Sequence, residues 1–155
     1  GMFAFPGGRV YVDEESSAVT HDVSGEAAVW GDDDLELVRA HLAAAVRETW
    51  EESGVRLDPA SLVAWGRWVT PPGETRRFDA RFYLARCPAD ASPEPLTGEV
   101  AAGQWFVVRA AVDAFAMGAL PMWPPTIDTL TSLTTFDDVA SALAAAPTQI
   151  EAVTE

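Results

Sequence analysis

Lysine is absent from this 155-residue chain, cysteine occurs once, and only 10 cationic residues face 24 acidic ones. The formal charge of -14 and a pI near 4.3 exclude a general nucleic-acid or membrane surface, because both polyanions would be repelled at long range. A lone thiol, Cys87, cannot form an intramolecular disulfide, which leads us to expect a reducing, cytoplasmic setting. No apolar run reaches the roughly twenty residues of a membrane span, and no signal-peptide layout marks the N-terminus. Repeats and long low-complexity tracts are also missing.

What is present suffices for one domain. With 48% hydrophobic residues the chain can bury a real core, and residues 1–155 are read as a single unit. Because every cation is an arginine, any local positive pocket is built of guanidinium groups, which suit bidentate phosphate contacts. Arg76 and Arg77, next to Phe78, are the natural pair for gripping phosphate or a nucleotide portion. The competing reading makes them strand-edge charges that discourage aggregation.

The densest chemistry lies in Arg47-Glu48-Thr49-Trp50-Glu51-Glu52-Ser53-Gly54-Val55. Residues three and four apart on a helix share a face, so Glu48, Glu51 and Glu52 should converge on a volume that a cation would neutralise. Three glutamates on a helix are ordinarily a solvated face. Here a flanking arginine, a terminal glycine and an upstream Pro6-Gly7-Gly8 turn favour a metal site. Hard oxygen donors with no Cys or His nearby favour Mg²⁺ or Mn²⁺ over zinc.

Coarse patterning places this run at the end of a helix. Asp32-Asp33-Asp34 suits its N-terminus, Leu35, Val38, Leu42, Ala45, Val46 and Trp50 follow at near-helical spacing, and Gly54 stops it. Phe3–Val12 reads as strand, turn, strand. A polar stretch follows, with a short helix expected over Gly25–Trp30. Ser61–Thr70 and Phe78–Arg86 read as antiparallel strands joined through Pro71-Pro72-Gly73, and Gln104–Val108 as a further strand. Helices are expected over Arg109–Met117, Thr126–Phe136 and Asp137–Ala146. Trp65 and Trp68 read as packing residues, His21 and His41 as surface or helix-face residues. Strands with helices interspersed define an α/β class with helices packed on a mixed sheet.

The Arg47–Val55 run resembles the second half of the Nudix signature, and Phe5-Pro6-Gly7-Gly8 resembles its glycine entrance. The usual gap from the second glycine to the arginine is about fourteen residues. The distance from Gly8 to Arg47 is much longer, so an insert over residues 13–33 is inferred. A branch that includes coenzyme A diphosphatases carries such an insert. It is also similar to this chain at Trp68-Val69-Thr70-Pro71-Pro72-Gly73 and Arg76-Arg77-Phe78-Asp79-Ala80-Arg81-Phe82.

The resemblance implies an α/β/α sandwich lacking the usual N-terminal strand or strands, with an exposed sheet edge that invites a homodimer. It implies a Mg²⁺- or Mn²⁺-dependent hydrolase of a small-molecule diphosphate. Glu48 and Glu52 would be metal ligands, the Gly7 carbonyl another, and Glu51 either a third carboxylate ligand or a base. Arg47 would brace the glutamates. Glu99, ahead of Trp105, resembles the extra acid that some members use as base or further ligand. The signature also has a glutamate upstream of its arginine, and its place is held here by Arg39; Glu36, one turn earlier, is the expected substitute. The rival reading is a non-catalytic nucleotide-binding or dimerising module on the same scaffold.

Overall fold

In the computed structural model, which describes residues 1–92, 94 and 103–154, two short helices precede the long one. These are α1 (Val12–Glu15), followed by a 3-10 turn at Ser16–Ala18, and α2 (Ser24–Trp30). The long helix α3 spans Leu35–Ser53; β1 (Val63–Val69) and β2 (Asp79–Leu84) follow. Beyond them lie α4 (Val108–Ala116), α5 (Pro124–Leu133), α6 (Val139–Ala144) and β3 (Ala152–Val153).

Both ends of α3 are set by the expected residues. The Asp34 side chain accepts the N–H groups of Glu36 and Leu37 at 3.1 and 3.0 Å, satisfying donors that the first turn leaves without partners. At the other end Gly54 takes a left-handed φ of 70° and donates its N–H to the Trp50 carbonyl at 2.7 Å. Pro124 and Pro125 open α5, where fixed φ and a missing N–H cost nothing.

Among the described residues the sheet runs β2-β1-β3. β1 and β2 pair antiparallel from Val63↔Leu84 to Val69↔Asp79, with an irregularity between Ala64 and Gly66. β3 runs parallel to β1 through Arg67↔Ala152 and Trp68↔Val153. This gives a mixed sheet, as expected. One face of β2 carries Arg81 and Tyr83 toward Trp30 of α2: the Arg81 guanidinium lies 5.1 Å from that ring centroid and the Tyr83 ring 5.5 Å. The opposite face carries Phe82, whose ring meets Phe5 edge-on at 6.2 Å. Trp65 of β1 packs edge-on to Phe136 and donates Nε1–H to Ser132 Oγ, so α5 lies near the strand as well.

Two segments depart from the sequence reading. Phe3–Val12 is not a hairpin: Phe3 makes a single parallel bridge to Met122, and the chain from Val12 turns helical. Local bonding explains the change, since the Glu15 carboxylate accepts the Tyr11 N–H at 2.8 Å and its own N–H reaches the Tyr11 carbonyl at 2.9 Å. Gln104–Val108 is not a strand either. Trp105 and Val107 stand 60% and 75% exposed, so the apolar run has no sheet to bury against, and Val108 joins α4, where it shares a face with Ala111 and Phe115.

One core fills the space between α2, α3 and the sheet, around Val19, Val23, Val38, Leu42 and Leu62. Another joins α4 and α5 through Ala111, Leu120 and Met122. Leu42 is 2% exposed, so Leu42→Ala is expected to cost about 2–5 kcal/mol. Typical domains have a total of only about 5–15 kcal/mol. Denaturant titration would read this directly, and a loss below about 1 kcal/mol would contradict the packing of α3.

The segment ahead of α3 is tied to the sheet by an ion pair. Arg81 Nη2 donates to Asp32 Oδ2, a bond that holds the Asp32 carboxyl below its usual range. Glu26 behaves oppositely: burial raises its pKa despite the hydrogen bond it accepts from Trp30 Nε1 at 2.9 Å. A carboxyl with a raised folded pKa contributes stability at acid pH that is lost as pH rises through that value. Glu26→Gln keeps an acceptor for Trp30 and removes the charge. It should therefore melt higher than the native chain at pH 7, with the gap closing at pH 3. A lower melting temperature at pH 7 would mean that the Arg81 attraction outweighs burial.

Candidate functional site

Helix α3 delivers Arg47, Glu48, Glu51 and Glu52 on its last turns, and the Pro6-Gly7-Gly8 turn comes against them from the other end of the chain. The Gly7 N–H donates to Glu52 Oε2 at 3.3 Å across a separation of 45 residues. Gly8 approaches closer still: a Cβ there would lie 2.1 Å from Glu48 Oε1 and 2.4 Å from its Cδ. Only a residue without a side chain allows the backbone so near that carboxylate.

Arg47 is the organiser of this cluster. Its Nη1 lies 2.7 Å from Glu48 Oε1 and 3.1 Å from Glu51 Oε2, its Nε lies 2.6 Å from Glu15 Oε1, and its Nη2 donates to the Arg9 carbonyl at 2.9 Å. The Tyr11 ring sits beneath the guanidinium at 5.9 Å. Partial burial works against the Arg47 charge, yet the bonds to Glu15 and Glu48 outweigh it, and the side chain is held more firmly protonated than an ordinary arginine. Arg47 thus bonds at once to two of the helix-end acids and to Glu15.

Convergence of the glutamates is only partial. Among the described residues no three His, Cys, Asp or Glu side chains are grouped closely enough to hold a metal ion. Like charges on one helix face repel, and donors offset this in two places: Arg47 Nη1 is shared by Glu48 and Glu51, and the Gly7 amide serves Glu52. Gly7 meets the acids through its N–H, which leaves its carbonyl, the atom expected to face a metal, outside this bond. The donors drawn together are still all hard oxygens, with neither thiolate nor imidazole among them, which fits a hard divalent cation in kind.

The partner of Arg47 is a residue that sequence reasoning missed. Glu36 was the expected substitute for the displaced signature glutamate, but Glu15 of α1 makes the bond. Glu15 is 8% exposed, and its two oxygens are divided between Arg47 and the Tyr11 N–H. Counting back along α3 from Arg47 leads to Arg39 because the intervening segment breaks the count. Counting forward from Gly8 would have reached Glu15 at the end of α1.

Arg76, Arg77 and Phe78 lie exposed in the loop joining β1 and β2, where Arg77 Nε donates to the Thr70 carbonyl at 3.3 Å and the Phe78 N–H to Thr70 Oγ1 at 2.9 Å. Glu99 lies outside the described residues. His41 sits half-buried on α3 with Nδ1 2.8 Å from the Leu37 carbonyl, and burial lowers its pKa. Burial and nearby Asp90 push the Cys87 thiol up, away from the reactive thiolate.

Comparison with known proteins gives this arrangement its class. Residues 38–126, more than half of the chain, match the family model for the NUDIX domain, and the chain belongs to the Nudix family. It is a Nudix hydrolase, an enzyme acting on phosphorus anhydrides. Its fold is similar to the crystal structure of a NUDIX hydrolase from Alicyclobacillus acidocaldarius, with a TM-score of 0.73 and 24% identity over 95% of this chain and 82% of that one. The family match begins at Val38, so Gly7, Gly8 and Glu15 stand outside it and reach the site through the fold. Among the described residues no helix is long and apolar enough to cross a membrane.

Proposed function

We propose that this chain is a metal-dependent diphosphatase that cleaves a diphosphate linked to an organic moiety, using water as nucleophile and Mg²⁺ or Mn²⁺ as cofactor. The observation that carries the reading is the contact between the glycine turn and the helix-end acids, with Gly8 against Glu48 and Gly7 against Glu52. Nudix hydrolases generally use divalent metals. Glu48 and Glu52 are the assigned ligands, with the Gly7 carbonyl beside them and Glu51 as a third ligand or as the base.

When bound, the cation screens the charge on the two phosphates and lowers the pKa of a water. The protein's own contribution is positional. Arg47 holds one oxygen of Glu48 and one of Glu51, and a carboxylate has a second oxygen with which to bind a cation. Glu15 fixes the Arg47 guanidinium from behind, so the brace cannot swing toward substrate. Arg76 and Arg77 remain the assigned phosphate or nucleotide contacts, with Phe78 beside them, and Glu99 the assigned further acid.

Coenzyme A or its acyl esters, ADP-ribose and nucleotide sugars are the candidate substrates. The first rests on the resemblance to the branch bearing an insert at 13–33. A panel of these compounds, incubated with the protein plus Mg²⁺, Mn²⁺ or EDTA, tests the reaction by release of phosphate-bearing product. Hydrolysis with metal and none with EDTA is expected; equal output in all three conditions would discard metal-dependent catalysis. A second reading, a homodimer formed along the sheet edge, is favoured by β2 standing outermost among the described strands. Light scattering over a concentration series would remove it by showing a monomer throughout.

A further inference from the structure

Between the end of β2, the start of α4 and the α5–α6 corner lies a groove of about 440 Å³ that the site described above does not use. Its walls are apolar: Leu84, Phe106, Leu133, Phe136, Val139 and Leu143. Among the described lining residues Arg109 is the one cation, and its Nη2 is turned to the Thr134 carbonyl at 3.3 Å. Asp137 and Asp138 add negative charge at the α6 end, where Asp138 already caps the helix through the Ser141 N–H at 2.7 Å. A pocket of this size and polarity suits a small-molecule moiety, and its charges disfavour an anionic one.

Position links the groove to the carboxylates. Leu84 and Phe82 are two apart on β2 and so share a face. The Phe82 ring meets Phe5 at 6.2 Å, and Phe5 is two residues before Gly7. A parallel route runs from Phe106, in the groove wall, to Phe3 at 6.1 Å. An apolar strip thus leads from the glycine turn to the groove, within about 20 Å when summed along strand spacings.

We infer that the groove is the subsite for an uncharged, elongated hydrocarbon arm of the substrate, lying along the Phe5–Phe82–Leu84 strip while the diphosphate is held at the helix-end acids. This rests on the diphosphatase reading and names the chemistry of the organic moiety. A second copy of the chain is the less suitable occupant, since each copy would bring the same negative rim against the other.

Two esters of adenosine diphosphate, carrying an ethyl or a hexadecyl chain on the terminal phosphate, test it with Mg²⁺ present. The hexadecyl ester, long enough to run the strip into the groove, should be preferred by at least about tenfold in kcat/KM, given the apolar area it buries. Val139→Glu, at a position 50% exposed, places a charge in the wall and should abolish the preference while leaving ethyl ester turnover unchanged. Leu143→Trp, which fills the groove, should do the same, with thermal melts verifying the fold of both variants. Equal turnover of the two esters by the native chain, or a hexadecyl preference retained in both folded variants, would overturn the inference.

Failure of the underlying reaction has a different signature. If neither ester is hydrolysed, titration calorimetry with 1-decanol decides. Binding to the native chain that Val139→Glu removes supports an apolar ligand site without diphosphatase activity, and no binding overturns the groove as a ligand site. A concentration-dependent dimer broken by Val139→Glu, with equal turnover of both esters, would assign the groove to a second copy and overturn the inference as well.

Discussion

Glu52→Gln is expected to slow diphosphate hydrolysis by about 10³-fold, the equivalent of roughly 4 kcal/mol of charge stabilisation in the transition state. The substitution is nearly isosteric, and a glutamine oxygen can still accept the Gly7 N–H that Glu52 Oε2 holds at 3.3 Å. Stability should therefore change by no more than about 0.5 kcal/mol. Steady-state kinetics at several Mg²⁺ concentrations, paired with thermal melts, separates the two effects. Rates equal to the native chain at saturating Mg²⁺ would remove Glu52 from the metal set, and a collapse in stability would make its role structural.

Gly8→Ala should behave in a related way for a different reason. The new methyl would meet the far end of the Glu48 side chain, with Oε1, Cδ and Oε2 at 2.1, 2.4 and 2.8 Å. A flexible carboxylate can swing aside at little cost in stability, but the carboxylate is the functional group. Displacement by an ångström or more is expected to reduce turnover by about 10²-fold. Higher Mg²⁺ should recover part of the loss, because the misplaced ligand weakens metal affinity. Native kinetics in Gly8→Ala would show that Glu48 is not required where the structure places it, while a large fall in melting temperature would show that the turn itself is crowded by more than one side chain.

Helix α3 was legible in the sequence because its signals agree. Asp34 caps it, Val38 and Leu42 recur on the buried face, and Gly54 supplies the left-handed stop. The β1–β2 pair was legible for a similar reason, with Pro71-Pro72-Gly73 separating two aromatic-rich runs. The bringing together of Gly7 and Gly8 with the acids followed from the signature resemblance, whereas the division of those acids between Arg47 and the Gly7 amide did not. That division depends on which donor lies nearest each carboxylate in three dimensions.

Other features were hidden by the limits of pattern. Glu15 lies in a four-residue helix too short for any periodicity, and its pairing with Arg47 spans 32 residues. β3 has only two residues, so no alternation marks Ala152 and Val153; their place beside β1 comes from the tertiary path, which the Ile150 N–H helps fix by reaching the Val29 carbonyl at 2.9 Å. The exposed run Trp105–Val107 carries strand-like composition without a sheet to receive it, and composition alone cannot register that absence.

The bonds of Glu15 to Arg47 and of Asp32 to Arg81 anchor the two ends of the segment between them at fixed points on the rest of the protein. Ring-closure entropy grows only logarithmically with chain length, at about 0.6 kcal/mol for each doubling. Most of the stretch between those anchors is not slack, since Val19, Val23, Ala27 and Trp30 are buried in it. The exposed turn at residues 20–22 is where added residues carry only that small entropic penalty, leaving both anchors and the glycine turn in place.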